Sequence, residues 1–367
     1  MTQRILITGG AGFIGSRLVN ALLQSTPDAR IWVLDNLHLQ VHGPDAKAPA
    51  FPAGVVFLRG DVKDAAAVRD AVGQSTPTLV YHLAAETGTG QSYDEVSRYC
   101  DVNVGGTAHL IEAMRTEAGA NVQRVVLAAS RAVYGEGGYA DSDDREYVGL
   151  PRDAERMSQG NFEVPLPEGA RLPARPIPSH AGLPPAPASV YASTKLMQEY
   201  LLRQAGEGAK WNATILRFQN VYGPGQSLRN PYTGVLSIFA QQLLSGKNLN
   251  IYEDGEIARD FVFVDDVVNA LVAAGPRDLP HGTILDIGSG EPVTILQAAR
   301  VLIDNIGCAP ESLSITGAFR VGDIRYAAAD IRAARQLLDW TPKVDVATGL
   351  AQLAAWARVE FAAVQPS

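Results

Sequence analysis

A tyrosine and a lysine four positions apart are the side chains of this sequence best suited to moving a proton. Tyr191 and Lys195 lie in the stretch Tyr-Ala-Ser-Thr-Lys, whose helical character places both side chains on one face. A phenol with an ordinary pKa of about 10 is a poor base at neutral pH, but a neighbouring ammonium stabilises the phenolate and lowers that pKa. Tyr191 is therefore predicted to exchange a proton with a substrate hydroxyl. Taken alone, the same spacing also fits an amphipathic helix with a surface lysine.

A serine at the end of a predicted strand is a second candidate for this chemistry. Ser130 ends the apolar run that begins at Val122, and at the carboxyl end of a strand its hydroxyl could meet the same substrate oxygen as Tyr191. Ser130 is therefore predicted to share or relay the proton. A serine in such a place can equally be a turn residue or a cap.

A glycine-rich turn near the amino terminus is typical of a dinucleotide site. Gly9–Gly15 follows the first predicted strand and opens the first predicted helix, so backbone N–H groups and the helix N-terminus can face a pyrophosphate. Asp35 ends the second predicted strand, where a carboxylate can accept hydrogen bonds from the adenosine ribose. Without Asp35, the glycines would indicate only a tight strand-to-helix turn.

The dinucleotide is predicted to be NAD. Asp35 would repel a 2′-phosphate, and no arginine follows it among residues 36–38. The segments after the third and fourth strands should touch the adenine and the riboses, although both also fit ordinary strand-end packing. The residues predicted to bind NAD are Gly9, Gly12, Phe13, Ile14, Gly15, Asp35, Asn36, Asp61, Val62, Leu83, Ala84, Ala85, Tyr191 and Lys195.

Short apolar strands alternate with amphipathic helices over the first 220 residues. Uninterrupted apolar runs suit strands buried on both faces of a parallel sheet, and their alternation with helices predicts right-handed crossovers. The predicted fold class is α/β, a Rossmann-type doubly wound parallel sheet with a smaller C-terminal α/β substrate-binding lobe. The predicted strands are Ile5–Thr8, Ile31–Asp35, Val55–Asp61, Thr78–Ala85, Val122–Ser130 and Ala213–Phe218, with helices such as Phe13–Gln24 and Val102–Arg115.

The predicted domains are residues 1–220 for the cofactor and 221–367 for the smaller lobe, with chain segments interleaved. Residues 136–189 are acidic and then proline-rich, which indicates an insertion that is either a lid or a poorly ordered surface loop. The pattern after residue 220 predicts helices near 234–245 and 264–274, a strand at 283–287 in the smaller lobe, and closing helices from 330 and 346.

Composition and charge argue against several classes of protein, including nucleic-acid-binding and disulfide-stabilised proteins. A chain of 367 residues with 46% hydrophobic content can bury a large core, and its net charge of −8 argues against binding nucleic acid or anionic membranes. Two cysteines are too few for a disulfide framework or a paired-cysteine zinc site, so no metal is predicted. The amino terminus leads directly into the apolar residues 5–7, and no apolar run reaches membrane-spanning length, which predicts a cytoplasmic protein.

Together these segments resemble the nucleotide-sugar epimerase and dehydratase branch of the extended short-chain dehydrogenase/reductase superfamily. The resemblance runs from about residue 1 to residue 356 and rests on Thr8–Gly15, on Tyr191 with Lys195, and on Arg217–Pro224. It implies catalytic roles for Ser130, Tyr191 and Lys195, with Lys195 also holding the nicotinamide ribose. The positive charge of the nicotinamide would further stabilise the phenolate.

The same resemblance implies a nucleotide-diphosphate sugar as the substrate. Asn220 would contact the diphosphate, and Arg259 and Arg320 lie in segments that look like the family's two arginine sites. Arginine suits this role because its planar fork binds phosphate oxygens bidentately, although either arginine alone fits a surface salt bridge. The residues predicted to bind the substrate are Thr87, Gly88, Thr89, Gln91, Ser130, Arg131, Asn220, Arg259 and Arg320.

The residues after Ser130 favour one reaction of this branch. In the family's 4,6-dehydratases an acidic pair follows this hydroxyl, and its decarboxylases also tend to carry an acid there, whereas this chain has Arg131 and Ala132. A 4-epimerase needs no further acid, because hydride leaves C4 for NAD and returns to the other face of the 4-keto sugar. The reaction is then redox-neutral, and NAD should stay tightly bound through turnover.

The identity of the sugar rests on resemblance alone. Thr87 stands where galactose epimerases usually have lysine. Residues 86–92 and 130–137, the insertion and the segment Gly225–Gly234 look most like the subfamily that epimerises dTDP-L-rhamnose to dTDP-6-deoxy-L-talose. A UDP-glucose or UDP-N-acetylglucosamine 4-epimerase, a dehydrogenase or 4-keto-reductase, and a catalytically silent NAD-binding protein stay open. The family also implies a homodimer, paired through helices near 93–115 and 191–205.

Overall fold

Strands and helices alternate along most of the chain. The computed structural model describes residues 3–43, 46–47, 49–228, 230 and 234–364. The strands are β1 (Arg4–Thr8), β2 (Arg30–Asp35), β3 (Val55–Arg59), β4 (Leu79–His82), β5 (Arg124–Ser130), β6 (Gly138–Ala140), β7 (Glu146–Val148), β8 (Arg175–Ile177), β9 (Asn212–Phe218), β10 (Asn220–Tyr222), β11 (Leu249–Ile251), β12 (Ala258–Phe263), β13 (Thr283–Ile287), β14 (Pro292–Thr294) and β15 (Leu313–Ile315). The helices are α1 (Phe13–Ser25), α2 (Leu39–His42), α3 (Ala65–Ser75), α4 (Gln91–Asp94), α5 (Val96–Tyr99), α6 (Gly106–Met114), α7 (Ala154–Ser158), α8 (Val190–Gly206), α9 (Val235–Leu244), α10 (Val264–Ala274), α11 (Ile295–Ile306), α12 (Arg332–Leu338) and α13 (Val346–Val364).

Seven parallel strands form the central sheet, in the order β13-β9-β5-β4-β1-β2-β3. Its strands are buried on both faces, and Ile5, Leu6 and Ile7 of β1 are all 0% exposed. The chain order reverses at β1, which has β2 on one side and β4 on the other, and a doubly wound sheet opens a crevice at such a point. The predicted α/β fold with a doubly wound parallel sheet is confirmed.

Helices cover both faces of this sheet. On one face, Leu18 of α1 and Leu271 of α10 belong to the same core cluster as Ile5 and Ile7. On the other face, residues of α3, α6 and α8 form a second cluster around Leu6. The odd and even residues of one strand therefore pack against different helices, as the alternation of side chains along a strand requires.

Several predicted boundaries are shifted. β3 ends at Arg59 and β4 at His82, so Asp61 and Ala85 lie in loops beyond the strands instead of within them. The predicted helix Val102–Arg115 is divided into a π-helical turn, Cys100–Gly105, and α6. The strand at Thr283–Ile287, predicted for the smaller lobe, is instead the edge strand β13 of the central sheet, because it pairs in parallel with β9.

A second lobe contains two small sheets and three helices. β10, β12 and β14 form one sheet, and β11 pairs with β15 in the other. Its core is apolar and lies between the sheets and α9, α11 and α13, with Phe239, Phe261, Leu302 and Leu353 buried in one cluster. This lobe stands next to the carboxyl ends of the central strands, because β10 follows β9 after one residue.

The insertion at 136–189 folds into the small antiparallel sheet β7-β6-β8 and the short helix α7. A buried ion network anchors it: the Arg152 guanidinium lies 3.1 Å from Glu136 Oε1 and 2.9 Å from Glu253 Oε1. Arg325 joins this network, since its backbone N–H donates to Glu136 Oε2 and its Nη1 to Glu253 Oε2. The prediction of a poorly ordered surface loop for residues 136–189 is wrong. The segment has few apolar residues of its own, but these buried polar contacts hold it in place.

Within the described part of the chain, no helix is both long and apolar enough to cross a membrane. The same residues contain no group of three or more His, Cys, Asp or Glu side chains arranged to hold a metal ion.

Candidate active site

A cleft of about 450 Å³ runs along the carboxyl ends of the central strands. It extends from the loops after β2 and β3 to the residues after β9, with α8 along one side. Every residue predicted to bind NAD lines it: Gly9, Gly12, Phe13, Ile14, Gly15, Asp35, Asn36, Asp61, Val62, Leu83, Ala84, Ala85, Tyr191 and Lys195. The sequence pattern and the crevice therefore coincide.

The glycine turn between β1 and α1 is shaped by close backbone packing. Gly9 has a φ of +70°, and a Cβ there would lie 2.6 Å from the backbone nitrogen of Ala84. A Cβ on Gly15 would collide with the Gly9 carbonyl oxygen. Gly12 is the N-cap of α1, so the first amides of this helix face the cleft without a capping side chain. Such amides and the helix dipole can bind a pyrophosphate.

Asp35 is held by two backbone amides. Its Oδ2 accepts from Ala11 N at 3.0 Å and its Oδ1 from Leu37 N at 2.9 Å. These contacts fix the carboxylate at the end of β2, and each oxygen keeps a lone pair for a ribose hydroxyl. Beside it, Asn36 Nδ2 donates to Asp61 Oδ2 at 3.1 Å, which ties together the loops after β2 and β3.

The three residues expected to move the proton meet at the other end of the cleft. Ser130 is the last residue of β5, and its Oγ accepts from Ala132 N at 3.2 Å. Tyr191 and Lys195 stand one turn apart on α8. Ser130 lies close enough to Tyr191 to lower the pKa of the phenol by hydrogen bonding. All three residues line the cleft.

The expected lowering of the Tyr191 pKa by Lys195 is not seen in this structure. Burial raises the pKa of Tyr191, and the Ser130 hydrogen bond offsets only part of that rise. Lys195 is not among the causes of the shift in the Tyr191 pKa, and its Nζ donates to Ala128 O of β5 at 2.9 Å. Burial also lowers the pKa of Lys195 to about 7, against which the charge of Glu199 acts. Desolvation thus favours the neutral form of both groups.

A buried histidine beneath the cleft was missed by the sequence interpretation. His82 ends β4 and is 1% exposed. Its Nδ1 lies 2.7 Å from Thr8 Oγ1 and its Nε2 lies 2.9 Å from Thr107 Oγ1. Burial, with a smaller contribution from Lys195, lowers the pKa of His82 to about 3, so the imidazole is neutral. Its two hydrogen-bond contacts join β4 to β1 and to α6. The sequence gave no indication of this role, because a single histidine at the end of an apolar strand has no distinctive pattern.

Only some of the residues predicted to contact the sugar line the cleft. Thr87, Gly88 and Ser130 line the cleft, whereas Thr89 and Gln91 do not. Thr89 is exposed, and the Gln91 amide donates to Glu95 Oε1 at 2.7 Å and to Gln40 Oε1 at 3.0 Å. Gln91 is buried, and its amide is occupied by these two hydrogen bonds within the protein. The loop sequence did not indicate this structural role.

Arg131, predicted to bind the substrate, and Asn220, Arg259 and Arg320, predicted to bind its diphosphate, lie outside the lining of this cleft. Arg131 is 7% exposed, and its Nη2 donates to Gly135 O at 3.0 Å. Burial and the charge of the nearby Arg259 lower the pKa of Arg131 to about 10. Neither arginine lies within 4.0 Å of a carboxylate in the described residues. Asn220 begins β10, and Arg320 is exposed, with its guanidinium 5.9 Å from the centre of the Tyr252 ring.

Other residues complete the cleft on the side of the second lobe. Gln219 and Val221 follow β9, and Gln226, Ser227, Asn230 and Gly234 come from the segment Gly225–Gly234 that resembles the subfamily. Residues 229 and 231–233 of that segment lie outside the described residues. Gln219 is buried inside the Arg217–Pro224 motif, but the motif alone did not single it out.

The sequence matches a family of known enzymes and several of its members. The family model described as the NAD dependent epimerase/dehydratase family matches residues 5–153 and 169–288. A dTDP-L-rhamnose 4-epimerase of Burkholderia thailandensis is 39% identical over 360 residues, which cover 98% of this chain and 96% of that protein. A UDP-glucose 4-epimerase of Mycolicibacterium smegmatis is 30% identical over 358 residues, covering 95% and 97%.

A solved structure extends the agreement to the fold. The crystal structure of the Thermus thermophilus UDP-glucose 4-epimerase in complex with NAD matches with a TM-score of 0.76 at 29% identity, covering 97% of this chain and 99% of that chain. The family match spans more than half of the chain, and its residues include the glycine turn, Asp35, Ser130 and the Tyr191–Lys195 pair. The chain therefore belongs to the NAD-dependent epimerase/dehydratase family, as an epimerase whose cofactor is NAD.

Proposed function

We propose that this enzyme inverts C4 of a nucleotide-activated hexose through a transient 4-keto sugar. The observation that carries the proposal is the meeting of Ser130, Tyr191 and Lys195 at one end of the NAD cleft. The residues that follow Ser130 are Arg131 and Ala132, neither of which can supply the acid and base that removal of water from C5 and C6 requires. Inversion at C4 needs only the three residues that are present.

Each of the three residues has a distinct part in this reaction. Tyr191 takes the proton of the sugar 4-hydroxyl, and Ser130 holds the same oxygen by a hydrogen bond. Lys195 stabilises the phenolate and holds the nicotinamide ribose. When bound, NAD supplies the hydride acceptor that later returns the hydride to C4. Because burial raises the pKa of Tyr191 here, the positive charges of Lys195 and of the oxidised nicotinamide are needed to bring that pKa down.

The proposed substrate is dTDP-L-rhamnose, with dTDP-6-deoxy-L-talose as the product. The Burkholderia thailandensis relative named for this substrate is 39% identical over nearly the whole chain, against 30% for the relative named for UDP-glucose. Thr87 in the cleft supports the same choice, since the galactose epimerases usually have lysine there. Asn220, Arg259 and Arg320 are the proposed contacts to the diphosphate, and Arg131 is a proposed contact to the substrate.

The test is an incubation with three nucleotide sugars and no added cofactor. The purified protein is mixed separately with dTDP-L-rhamnose, UDP-glucose and UDP-N-acetylglucosamine, and the C4 configuration is followed by NMR. Epimer from dTDP-L-rhamnose alone is the expected result, with Tyr191→Phe as the inactive control. Epimer from a UDP-sugar alone would replace the proposed substrate, and a strict need for added NADH or NADPH would replace epimerisation with net reduction.

We also propose that two copies of the chain pair through α4, α5 and α8. Four large side chains on these helices are exposed although they are apolar or aromatic: Tyr93, Val96, Met197 and Tyr200. Light scattering at micromolar concentration should give twice the chain mass, and a Val96→Glu, Met197→Glu double variant should give the single mass. A wild-type protein of single mass would overturn this proposal.

A further inference from the structure

A buried glutamine at the edge of the cleft has no hydrogen-bond partner for its side chain in the part of the chain that the structure describes. Gln219 follows β9 directly and lines the cleft, with 5% of its surface exposed. Its backbone N–H donates to Ile287 O at 2.9 Å, which fixes the main chain. Neither the side-chain Nε2 nor the Oε1 finds a partner among the described residues.

Two other buried amides show how far such groups are satisfied elsewhere in this chain. Asn103 Nδ2 donates to Thr194 Oγ1 at 2.9 Å, and Asn103 Oδ1 accepts from Glu86 N at 2.8 Å. Gln198 Nε2 donates to Thr107 Oγ1 at 2.8 Å, whereas Gln198 Oε1 has no partner among the described residues. A buried amide without such bonds is unfavourable, because it has lost its water and gained nothing in return. In the described residues Gln219 is alone in having both of its amide atoms in that condition.

The position of Gln219 is at the reacting end of the cleft. Phe218, the residue before it, stands opposite Ser130 in the parallel pairing of β9 with β5. The glycine turn and Asp35, which belong to the pyrophosphate and adenosine end, follow β1 and β2, beyond β4 in the sheet order. A ligand group that meets Gln219 must therefore lie close to the atoms on which Ser130 and Tyr191 act.

The chemistry of the amide selects the kind of group. An amide offers two N–H donors and one acceptor oxygen and carries no charge, so it suits a hydroxyl that can both donate and accept. A phosphate would be served better by the arginines of this chain, which carry the charge that an amide lacks. The reacting end of a nucleotide-sugar site holds such hydroxyls on the hexose.

We propose that Gln219 is a specificity-determining residue that hydrogen-bonds hydroxyl groups of the substrate's hexose. This inference rests on the proposed function, because it takes the ligand to be a nucleotide sugar. Binding of the hexose gives the amide the partners that the described residues do not supply. A sugar without a hydroxyl in reach of Gln219 leaves the amide buried and unbonded, and is discriminated against for that reason.

Replacement of Gln219 by methionine separates this role from a structural one. Methionine has similar volume but no strong hydrogen-bonding group, so the Tm of the NAD-loaded, substrate-free variant should equal or exceed that of the wild type. Calorimetric titration with dTDP should give an unchanged Kd. The additional affinity of dTDP-L-rhamnose over dTDP should fall by about tenfold or more, as expected for the loss of one or two hydrogen bonds.

Gln198→Met is the matched control, because this glutamine is also buried but its Nε2 has a partner. It should lower the Tm and leave the ratio of dTDP to dTDP-L-rhamnose affinities unchanged. For Gln219→Met, a lowered Tm with an unchanged affinity ratio would show a structural role and overturn the inference. Loss of bound NAD, measured by absorbance and release of the cofactor, would overturn it in favour of a contact to the nicotinamide.

Failure of this inference is distinguishable from failure of the proposed function. The titrations are repeated with UDP and UDP-glucose, so that either nucleotide sugar can serve as the ligand. A wild-type protein that epimerises neither sugar contradicts the proposed function. A wild-type protein that binds and epimerises the sugar, with Gln219→Met retaining the full sugar contribution, contradicts this inference alone.

Discussion

Burial shifts the pKa values of Tyr191 and Lys195 in opposite directions. It raises the pKa of Tyr191 and lowers the pKa of Lys195 to about 7, so in both cases the uncharged form is favoured. The phenolate that the reaction needs is therefore costly until opposing positive charge is in place. We therefore expect Tyr191 to lose its proton only after NAD and substrate occupy the cleft. The Tyr191 hydroxyl is then the group whose removal should slow the proposed reaction most.

Tyr191→Phe tests the residue that carries the proton. Because this change removes only the hydroxyl, kcat should fall by about 10²- to 10⁴-fold, the range for general acid and base groups. The NAD content and the Tm should stay close to those of the wild type. The NMR assay of C4 configuration measures the rate, and full activity in this variant would show that another group takes the proton.

Asp286 should make stability depend on pH. It is buried on β13, its carboxylate accepts a hydrogen bond from Tyr134 Oη at 3.0 Å, and burial raises its pKa to about 7 despite the opposing charge of Arg217. The folded state therefore binds the proton more tightly than the unfolded state, and this contribution to stability is lost as pH rises from about 4 through about 7. An Asp286→Asn variant removes it.

The measurement is urea unfolding of both proteins between pH 5 and pH 8. The stability of Asp286→Asn relative to the wild type should increase with pH, by up to about 1.4 kcal/mol for each pH unit below the folded pKa. Parallel pH dependences for the two proteins would mean that Asp286 stays charged throughout this range.

At the scale of elements, the sequence predicted those strands that a local run of apolar residues determines. Apolar runs located six strands of the central sheet, because a strand buried on both faces must be apolar at every position. The π-helical turn before α6 was not predicted. The close approach of Gly106 to Val62, where a Cβ would lie 2.7 Å from Val62 Cγ2, was not predicted either, because it joins residues far apart in the sequence. The lobe of β13 was also missed, because its pairing with β9 joins segments far apart in the sequence.

One side chain joins three of the loops that surround the NAD cleft. Gln40 of α2 donates through Nε2 to Gln91 Oε1 at 2.9 Å and to Asn230 Oδ1 at 3.2 Å. Its Oε1 accepts from Gln91 Nε2 at 3.0 Å and from Arg98 Nη2 at 3.2 Å. These bonds connect the loops after β2 and β4 with the segment from the second lobe, so they should slow the departure of a bound dinucleotide.

Gln40→Ala is therefore expected to release NAD faster. Loss of about 1.4 kcal/mol of bridging hydrogen bonds corresponds to an increase in the dissociation rate of about tenfold. The rate is measured by dilution of the NAD-loaded protein and separation of free cofactor over time. Gln24→Ala, an exposed position on α1, is the control, and an equal rate in both variants would exclude Gln40 as a bridge that retains NAD.

At the scale of the whole molecule, the sequence predicted the crevice but not the polar contacts that join its walls. The glycine turn, Asp35, Ser130 and Tyr191 could be placed together because the carboxyl ends of parallel strands share one edge. The network of Arg152 with Glu136 and Glu253 could not, since charged residues in loops have no periodicity and their partners lie up to about 100 positions away. For this reason the proline-rich composition of residues 136–189 did not reveal that the insertion is ordered.

Arg152→Met tests whether this network holds the insertion to the second lobe. The side chains of Arg152, Glu136 and Glu253 are at most 7% exposed, so the variant would leave two buried carboxylates without their guanidinium. Burial already raises the pKa of Glu136 with Arg152 present, and without it the charged form becomes still less favourable. The expected loss of unfolding free energy is about 3–5 kcal/mol.

Arg175 provides the contrast, because its ion pair with Asp144 in the same insertion is more than half exposed on both sides. Arg175→Met should cost less than about 1 kcal/mol, since water screens an exposed pair and solvates the carboxylate that is left behind. Urea unfolding of the two variants at pH 7.5 gives both values. Equal small losses would mean that water reaches Glu136 and Glu253, and the insertion would then be held to the second lobe by its apolar contacts instead of by its charges.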